Sequence, residues 1–262
     1  MPELHDDAER GARDLALRLA DATRDGTRLA PPADGVPADA AAAYRIQRMI
    51  VDLRGGAIGG WKVGAKSPSG PIQCAPLPAA GVLSSPAAWT RTGTVGGIEL
   101  EIGFRFGRVF APSAQPYADQ EVLEAVDRIC ATIEIVASRW SGWPGVSPLL
   151  QLADLQNHAM LAAGPAQRYD AGFPFSSVPA RLDLGGVSLH RGAGTNPAGD
   201  PRRLLPWLVN HAISHGLAID TDTVVTTGSY VGLLPLASPA AGLPARVIGQ
   251  IDGVAPVELT LR

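Results

Sequence analysis

Lysine is almost absent from this chain. Of its 22 basic side chains 20 are arginines, and the two lysines, Lys62 and Lys66, lie four residues apart. Arginine keeps its proton near neutral pH, whereas a desolvated lysine can give it up. A position that stays lysine here is therefore a candidate for proton chemistry. Lys62, inside Ile58-Gly59-Gly60-Trp61-Lys62-Val63-Gly64, is that candidate, and Lys66 reads as a surface residue. Cysteine is as scarce: Cys74 and Cys130 are far apart and lack metal-ligand spacing. Cys130 sits in an apolar stretch and reads as a small buried residue. There is no basic excess; the net charge of -3 gives no footprint for nucleic acid. No apolar run reaches membrane-spanning length, and the acidic start Met1-Pro2-Glu3-Leu4-His5-Asp6-Asp7 is not a signal peptide. A soluble, cytoplasmic protein is expected. Gly228-Ser229-Tyr230-Val231-Gly232 lacks the lysine of a phosphate loop, and no Glu follows His211 to make a zinc-protease motif with His215. Internal repeats are missing too.

What is present is a 262-residue chain, 46% hydrophobic, with acids in unexpected places. Gly97-Ile98-Glu99-Leu100-Glu101-Ile102-Gly103-Phe104 alternates as a strand does, with Glu99 and Glu101 on one face. Ala131-Thr132-Ile133-Glu134-Ile135-Val136 sets a third carboxylate between isoleucines. Neighbouring carboxylates repel, and burying them costs several kcal/mol each unless opposite charge compensates. A wet acidic strand face would avoid that cost. A divalent cation would meet it, and oxygen ligands suit Mg²⁺ or Mn²⁺.

Apolar spacing predicts helices over 6–24 and 38–53, the second stopped by Gly55-Gly56. A Pro/Gly/Ala stretch over 30–37 reads as a loop. Strands follow from Ile58, with a long acidic-faced one over 98–110. Further helices are predicted over 119–131, at the start of 149–162, and over 202–216. Strands are predicted over 133–138, 223–227, 245–251 and 256–261. No regular βαβ rhythm appears.

Taken in order, Gly60-Trp61-Lys62-Val63-Gly64, Glu99-Leu100-Glu101, Glu134-Ile135-Val136-Ala137-Ser138-Arg139, Leu152-Ala153-Asp154-Leu155-Gln156 and Thr226-Thr227-Gly228-Ser229 resemble the 2-keto-4-pentenoate hydratase family of the fumarylacetoacetate hydrolase superfamily. The resemblance runs from about Tyr44 to the C-terminus. It implies an α+β fold: a mixed β-roll over 57–262, preceded by a helical segment over 1–56. It implies that Glu99, Glu101 and Glu134 hold Mg²⁺ or Mn²⁺, that Lys62 is the catalytic lysine, and that Ser229, with Thr227 beside it, helps hold the substrate carboxylate. Homo-oligomers are common in the family. Two positions depart from its pattern. Ala137 stands where an acid is usual, and His158 where Asn is frequent.

The implied reaction adds water to a 2-hydroxy-2,4-dienoate and yields a 4-hydroxy-2-oxo acid, with a metal ion stabilising the enolate. Lys62, desolvated and near a cation, would have a lowered pKa and move the proton. Arg139 either pairs with the substrate carboxylate or makes a structural salt bridge. Asp154 either supports the site or lies on a helix surface. His158, in a segment read as helical, is an acid/base, a ligand or a packed, hydrogen-bonded residue. The same centre could decarboxylate a 2-oxo diacid of the 4-oxalocrotonate type or hydrolyse an acylpyruvate. Hydrolysis asks for a water-activating histidine, and the N-terminal half offers only His5. A catalytically impaired partner subunit is the non-enzymatic alternative.

Overall fold

The computed structural model describes residues 2–90, 96–236 and 244–262, with side chains described from residue 9 onward. Two helices come first, α1 (Pro2–Asp25) and α2 (Ala40–Leu53). Asp39 caps α2, its carboxylate accepting from the Ala42 amide at 2.8 Å. Gly55 and Gly56, both at positive φ, end it as expected. Then come β1 (Ile58–Gly64), β2 (Gln73–Pro78), β3 (Val82–Ser84), β4 (Ala87–Trp89), β5 (Gly97–Phe106), α3 (Asp119–Glu124), β6 (Val126–Val136), α4 (Pro148–Ala153), β7 (His158–Ala163) and β8 (Gln167–Arg168). The remainder is β9 (Ser177–Leu184), β10 (Val187–Thr195), α5 (Leu204–Ser214), β11 (Val224–Thr226), β12 (Leu234–Pro235), β13 (Ala245–Ile251) and β14 (Val257–Leu261).

Among the described residues the strands make two mixed sheets. One runs β2-β1-β11-β5-β6-β7-β3, with β12 also on β5 and β8 also on β6; the other runs β10-β9-β13-β14-β4. Ile98, Leu100, Ile102, Phe104 and Phe106 of β5 share one face, and all are buried with Ile133 and Ile135 of β6, Leu182 of β9, Val247 of β13 and Leu259 of β14. Each such side chain contributes roughly 1.5–3 kcal/mol. The sheets approach so closely that a Cβ at Gly249 would lie 2.6 Å from Leu100 Cδ1. This is the α+β roll that the resemblance implied.

The helical segment shares a core with the roll. Leu15, Leu19, Ile46 and Ile50 pack with Ala75, Trp140, Leu150, Leu152 and Leu155. Buried Gln47 of α2 donates to the Leu152 carbonyl at 2.7 Å and the Cys74 carbonyl at 3.1 Å.

One expectation needed correction. The helix predicted over 119–131 stops at Glu124, and β6 begins at Val126. Val122, Leu123, Val126 and Ile129 fit a helical stripe, but β5 offers a ladder that pairs Phe106 with Val126 and Phe104 with Ile129. The β-branched run up to Val136 takes it. The segment 149–162 is helical at its start, as expected: α4 (Pro148–Ala153) is followed by a left-handed turn and then β7. The hairpin β9–β10 was not foreseen; Gly185 and Gly186, both at positive φ, make its turn.

Candidate metal centre

Register builds the site. In β5 and β6, Glu99 lies opposite Glu134 and Glu101 opposite Thr132. On the other side of β5, Thr226 of β11 lies opposite Gly103, and Lys62 of β1 lies opposite Thr226. Paired residues share a face, so Lys62, Thr226, Glu99, Glu101, Thr132 and Glu134 crowd one side of the sheet. One carboxylate oxygen from each of Glu99, Glu101 and Glu134 lies within 4.8 Å of the others. Glu101 and Glu134 are only 2% and 0% exposed, so the acidic face is not a wet one.

Glu101 and Glu134 are held by the elements around them. Glu101 Oε2 accepts from the Gly228 amide at 2.6 Å and from the Thr226 hydroxyl. That hydroxyl is also 3.2 Å from the hydroxyl of Thr132. Glu134 Oε1 accepts from Lys62 Nζ at 2.8 Å and lies 2.9 Å from His158 Nδ1. Glu134 Oε2 is buried and has no hydrogen-bond partner. Three converging carboxylates, one with an unsatisfied buried oxygen, fit a hard divalent cation.

The electrostatics point the same way. Burial, reinforced by Glu134, pushes Glu99 up to about 7 despite Lys62. Burial and the two other carboxylates push Glu101 up to about 8. Burial acts upward on Glu134 as well, but the charge of Lys62 and the His158 hydrogen bond outweigh it and hold this carboxyl near 2. At Lys62, with no cation between the carboxylates, two influences oppose. Burial pulls its pKa down, yet Glu134, Glu99 and Glu101 together raise it above the ordinary lysine value. Burial lowers His158, so the neutral ring donates through Nδ1 to Glu134 while Nε2 stays buried without a partner.

Behind the carboxylates lies a strained turn. Leu155, Gln156 and Asn157 all have left-handed φ, at 48°, 52° and 62°. Non-glycine residues rarely adopt that conformation even singly. The turn aims the Gln156 carbonyl at Lys62 Nζ, 3.4 Å away. Arg139 grips both ends of it. Its Nε donates to Asp154 Oδ1 at 2.5 Å, Nη2 to the Asp154 carbonyl at 2.7 Å and Nη1 to the His158 carbonyl at 2.6 Å. Arg139, read either as a partner of the substrate carboxylate or as a structural salt bridge, is thus engaged with Asp154 and with main chain. Asp154 is fully buried and is not a surface acid. Thr227 donates to the Ile102 carbonyl at 3.0 Å and Ser229 to the Gly232 carbonyl at 2.9 Å. Ser229 therefore sits beside Gly228, within the turn that touches Glu101.

His158 is the first residue of β7 and not a helical one. Thr226, the Gly228 amide and the Gln156 carbonyl were missed as site groups. The Thr-Thr-Gly-Ser stretch was noticed, but only the register tells which threonine faces the acids. The other singled-out residues lie elsewhere. His211 stacks on Trp207 with centroids 5.0 Å apart, and burial pushes it down to about 4. Both cysteines are buried, which raises their thiols. The side chain of His5 lies outside the described residues.

No family model matches the chain. It is 30% identical over 132 residues to 2-keto-4-pentenoate hydratase of Paraburkholderia xenovorans (strain LB400), and equally to 2-keto-4-pentenoate hydratase 3 of Pseudomonas putida. Each match covers 50% of this chain and 48% of the relative, so the chain spans about half the length of the curated relatives it matches. Among solved structures it resembles 4-oxalocrotonate decarboxylase from Pseudomonas putida G7, complexed with magnesium and adipate. That match has a TM-score of 0.80 at 17% identity and covers 97% of this chain and 98% of the other. It also resembles 5-carboxymethyl-2-hydroxymuconate delta-isomerase from Mycobacterium smegmatis, with a TM-score of 0.54 at 14% identity over 78% of this chain and 77% of the other. The hydratases support the family resemblance, and the solved structures share the fold. No helix among the described residues is long and apolar enough to cross a membrane.

Proposed function

We propose that the protein is a metal-dependent hydro-lyase that adds water to a 2-hydroxy-2,4-dienoate of the 2-keto-4-pentenoate type, giving a 4-hydroxy-2-oxo acid. The observation that carries the reading is the trio Glu99, Glu101 and Glu134 with the Lys62 amine against one of its members. The half-length similarity to two hydratases supports the choice of substrate class. Glu99, Glu101 and Glu134 would hold a divalent cation, which would supply Lewis acidity to stabilise an enolate.

The chain's own groups do the rest. Lys62 carries a proton beside Glu134 and reaches solvent, its side chain being 15% exposed. Its Nζ is steered by Glu134 Oε1 and the Gln156 carbonyl. Once a cation neutralises the carboxylates, burial is the influence left on Lys62, and it lowers the pKa toward the range useful for proton transfer. Lys62 then moves the proton that interconverts dienol and enone. Thr226 and the Gly228 amide hold Glu101 in place, and His158 holds Glu134. Ser229 and Thr227 shape the turn beside Glu101, where the substrate carboxylate would lie. Arg139 and Asp154 serve the same pocket by fixing the strained turn. Assembly into a homo-oligomer belongs to the same proposal, and light scattering tests it.

Decarboxylation of a 2-oxo diacid is the second reading. It needs no activated water, and His158, hydrogen-bonded to Glu134, is fully buried. The same observation weighs against acylpyruvate hydrolysis. Assays with Mn²⁺ and a dienoate, an oxalocrotonate-type diacid or an acylpyruvate separate the three; turnover of the dienoate is expected. Lys62→Ala should lower that turnover by roughly 10²–10⁴-fold while Mn²⁺ still binds. Unchanged turnover would reject the role given to Lys62.

A further inference from the structure

A second charged site lies between the helical segment and the roll, and its sign is opposite. A cavity of about 140 Å³ is lined by Arg28, Arg54 and Arg139 together with Thr23, Thr27 and Ser138, and none of its lining residues is acidic. Arg54 follows the last turn of α2, and its guanidinium makes no hydrogen bond or ion pair with any described residue; Nη1 is wholly buried without a partner. Arg139 spends three donors on Asp154 and His158 and keeps two of its five N–H groups. Burial and the charge of Arg139 both disfavour the charged form of Arg54.

A buried guanidinium donor with no acceptor and a second guanidinium nearby is costly unless an anion joins them. We propose that this cavity binds a small oxyanion, a phosphate or short carboxylate, held by the Arg28, Arg54 and Arg139 guanidiniums and the Thr27 hydroxyl. The chemistry is that of charge-assisted hydrogen bonds from arginine forks. The volume is well below the roughly 300 Å³ at which pockets for larger organic ligands begin. This excludes a nucleotide and leaves room for the smaller ions. The site needs no metal and takes no part in the reaction proposed above.

The probe is inorganic phosphate, with acetate as a second arm, added to the full-length, metal-stripped protein in chloride buffer of constant ionic strength. Thermal unfolding and calorimetry read the outcome. Phosphate or acetate should raise the melting midpoint saturably. Arg54→Met, and separately the exposed Arg28→Met, should weaken binding by roughly tenfold or more. Ala137→Asp puts a carboxylate into the wall of the cavity. It should raise the midpoint without any added anion and abolish the phosphate response. No saturable response to either anion would overturn the proposal. So would an equal response in the Arg28→Met and Ala137→Asp proteins, or a crystal structure with a carboxylate of a neighbouring subunit filling the cavity.

Discussion

Removing protons from the three-glutamate cluster should control its affinity for metal. Glu99 and Glu101 are pushed up to about 7 and about 8 by burial and mutual repulsion. A cation displaces those protons, so binding is linked to pH. With these values the fraction of molecules in which both groups are ionised rises from roughly one in a thousand at pH 6 to roughly one in two at pH 8. Mn²⁺ affinity should therefore climb by roughly two to three orders of magnitude over that interval and level off above it. Calorimetry in buffers of different ionisation enthalpy should count between about one and two protons released per ion at pH 7. The sign for stability follows. Both carboxyls titrate higher in the folded chain than in the unfolded one. Their contribution to folding is complete below the ordinary carboxylate range and is lost as pH rises through 7 to 8. The slope is up to about 1.4 kcal/mol per pH unit for each proton. Metal-free protein should melt lower at pH 9 than at pH 6, and Mn²⁺ should remove the difference. An affinity that changes by less than about tenfold between pH 6 and 8, with no proton release, would refute this electrostatic picture.

Two further substitutions probe the scaffold. Gln47→Leu leaves the Cys74 and Leu152 carbonyls without their donor; it should cost about 1–3 kcal/mol in urea unfolding, and an unchanged midpoint would deny the tie between α2 and the roll. Arg139→Lys replaces a fork reaching Asp154 and the His158 carbonyl with a single ammonium. It should cost about 2–4 kcal/mol and lower turnover through the strained turn, with Mn²⁺ affinity within a few-fold of the parent; loss of Mn²⁺ binding instead would place Arg139 at the metal.

Much of this was legible because it violated local rules. Acids alternating with isoleucines, and a lysine in a chain of arginines, stand out whatever the fold. The structure brings those four side chains together. What stayed hidden depends on partners distant in sequence. Thr226 and Thr227 are chemically alike, and only pairing with Gly103 turns Thr226 toward Glu101. Arg139 ties together Asp154 and His158, the two ends of a turn whose left-handed residues include no glycine to announce it. Val122, Leu123, Val126 and Ile129 keep helical spacing up to the point where β5 supplies a ladder. β10 escaped notice because its residues are mostly exposed and show no apolar alternation.

Diffraction from crystals soaked in Mn²⁺, recorded at the manganese absorption edge, bears most directly on the account. One anomalous peak is expected among Glu99, Glu101 and Glu134, with Glu134 contributing Oε2, the oxygen that Lys62 and His158 leave free. No peak there, with the three carboxylates turned away from one another, would contradict it.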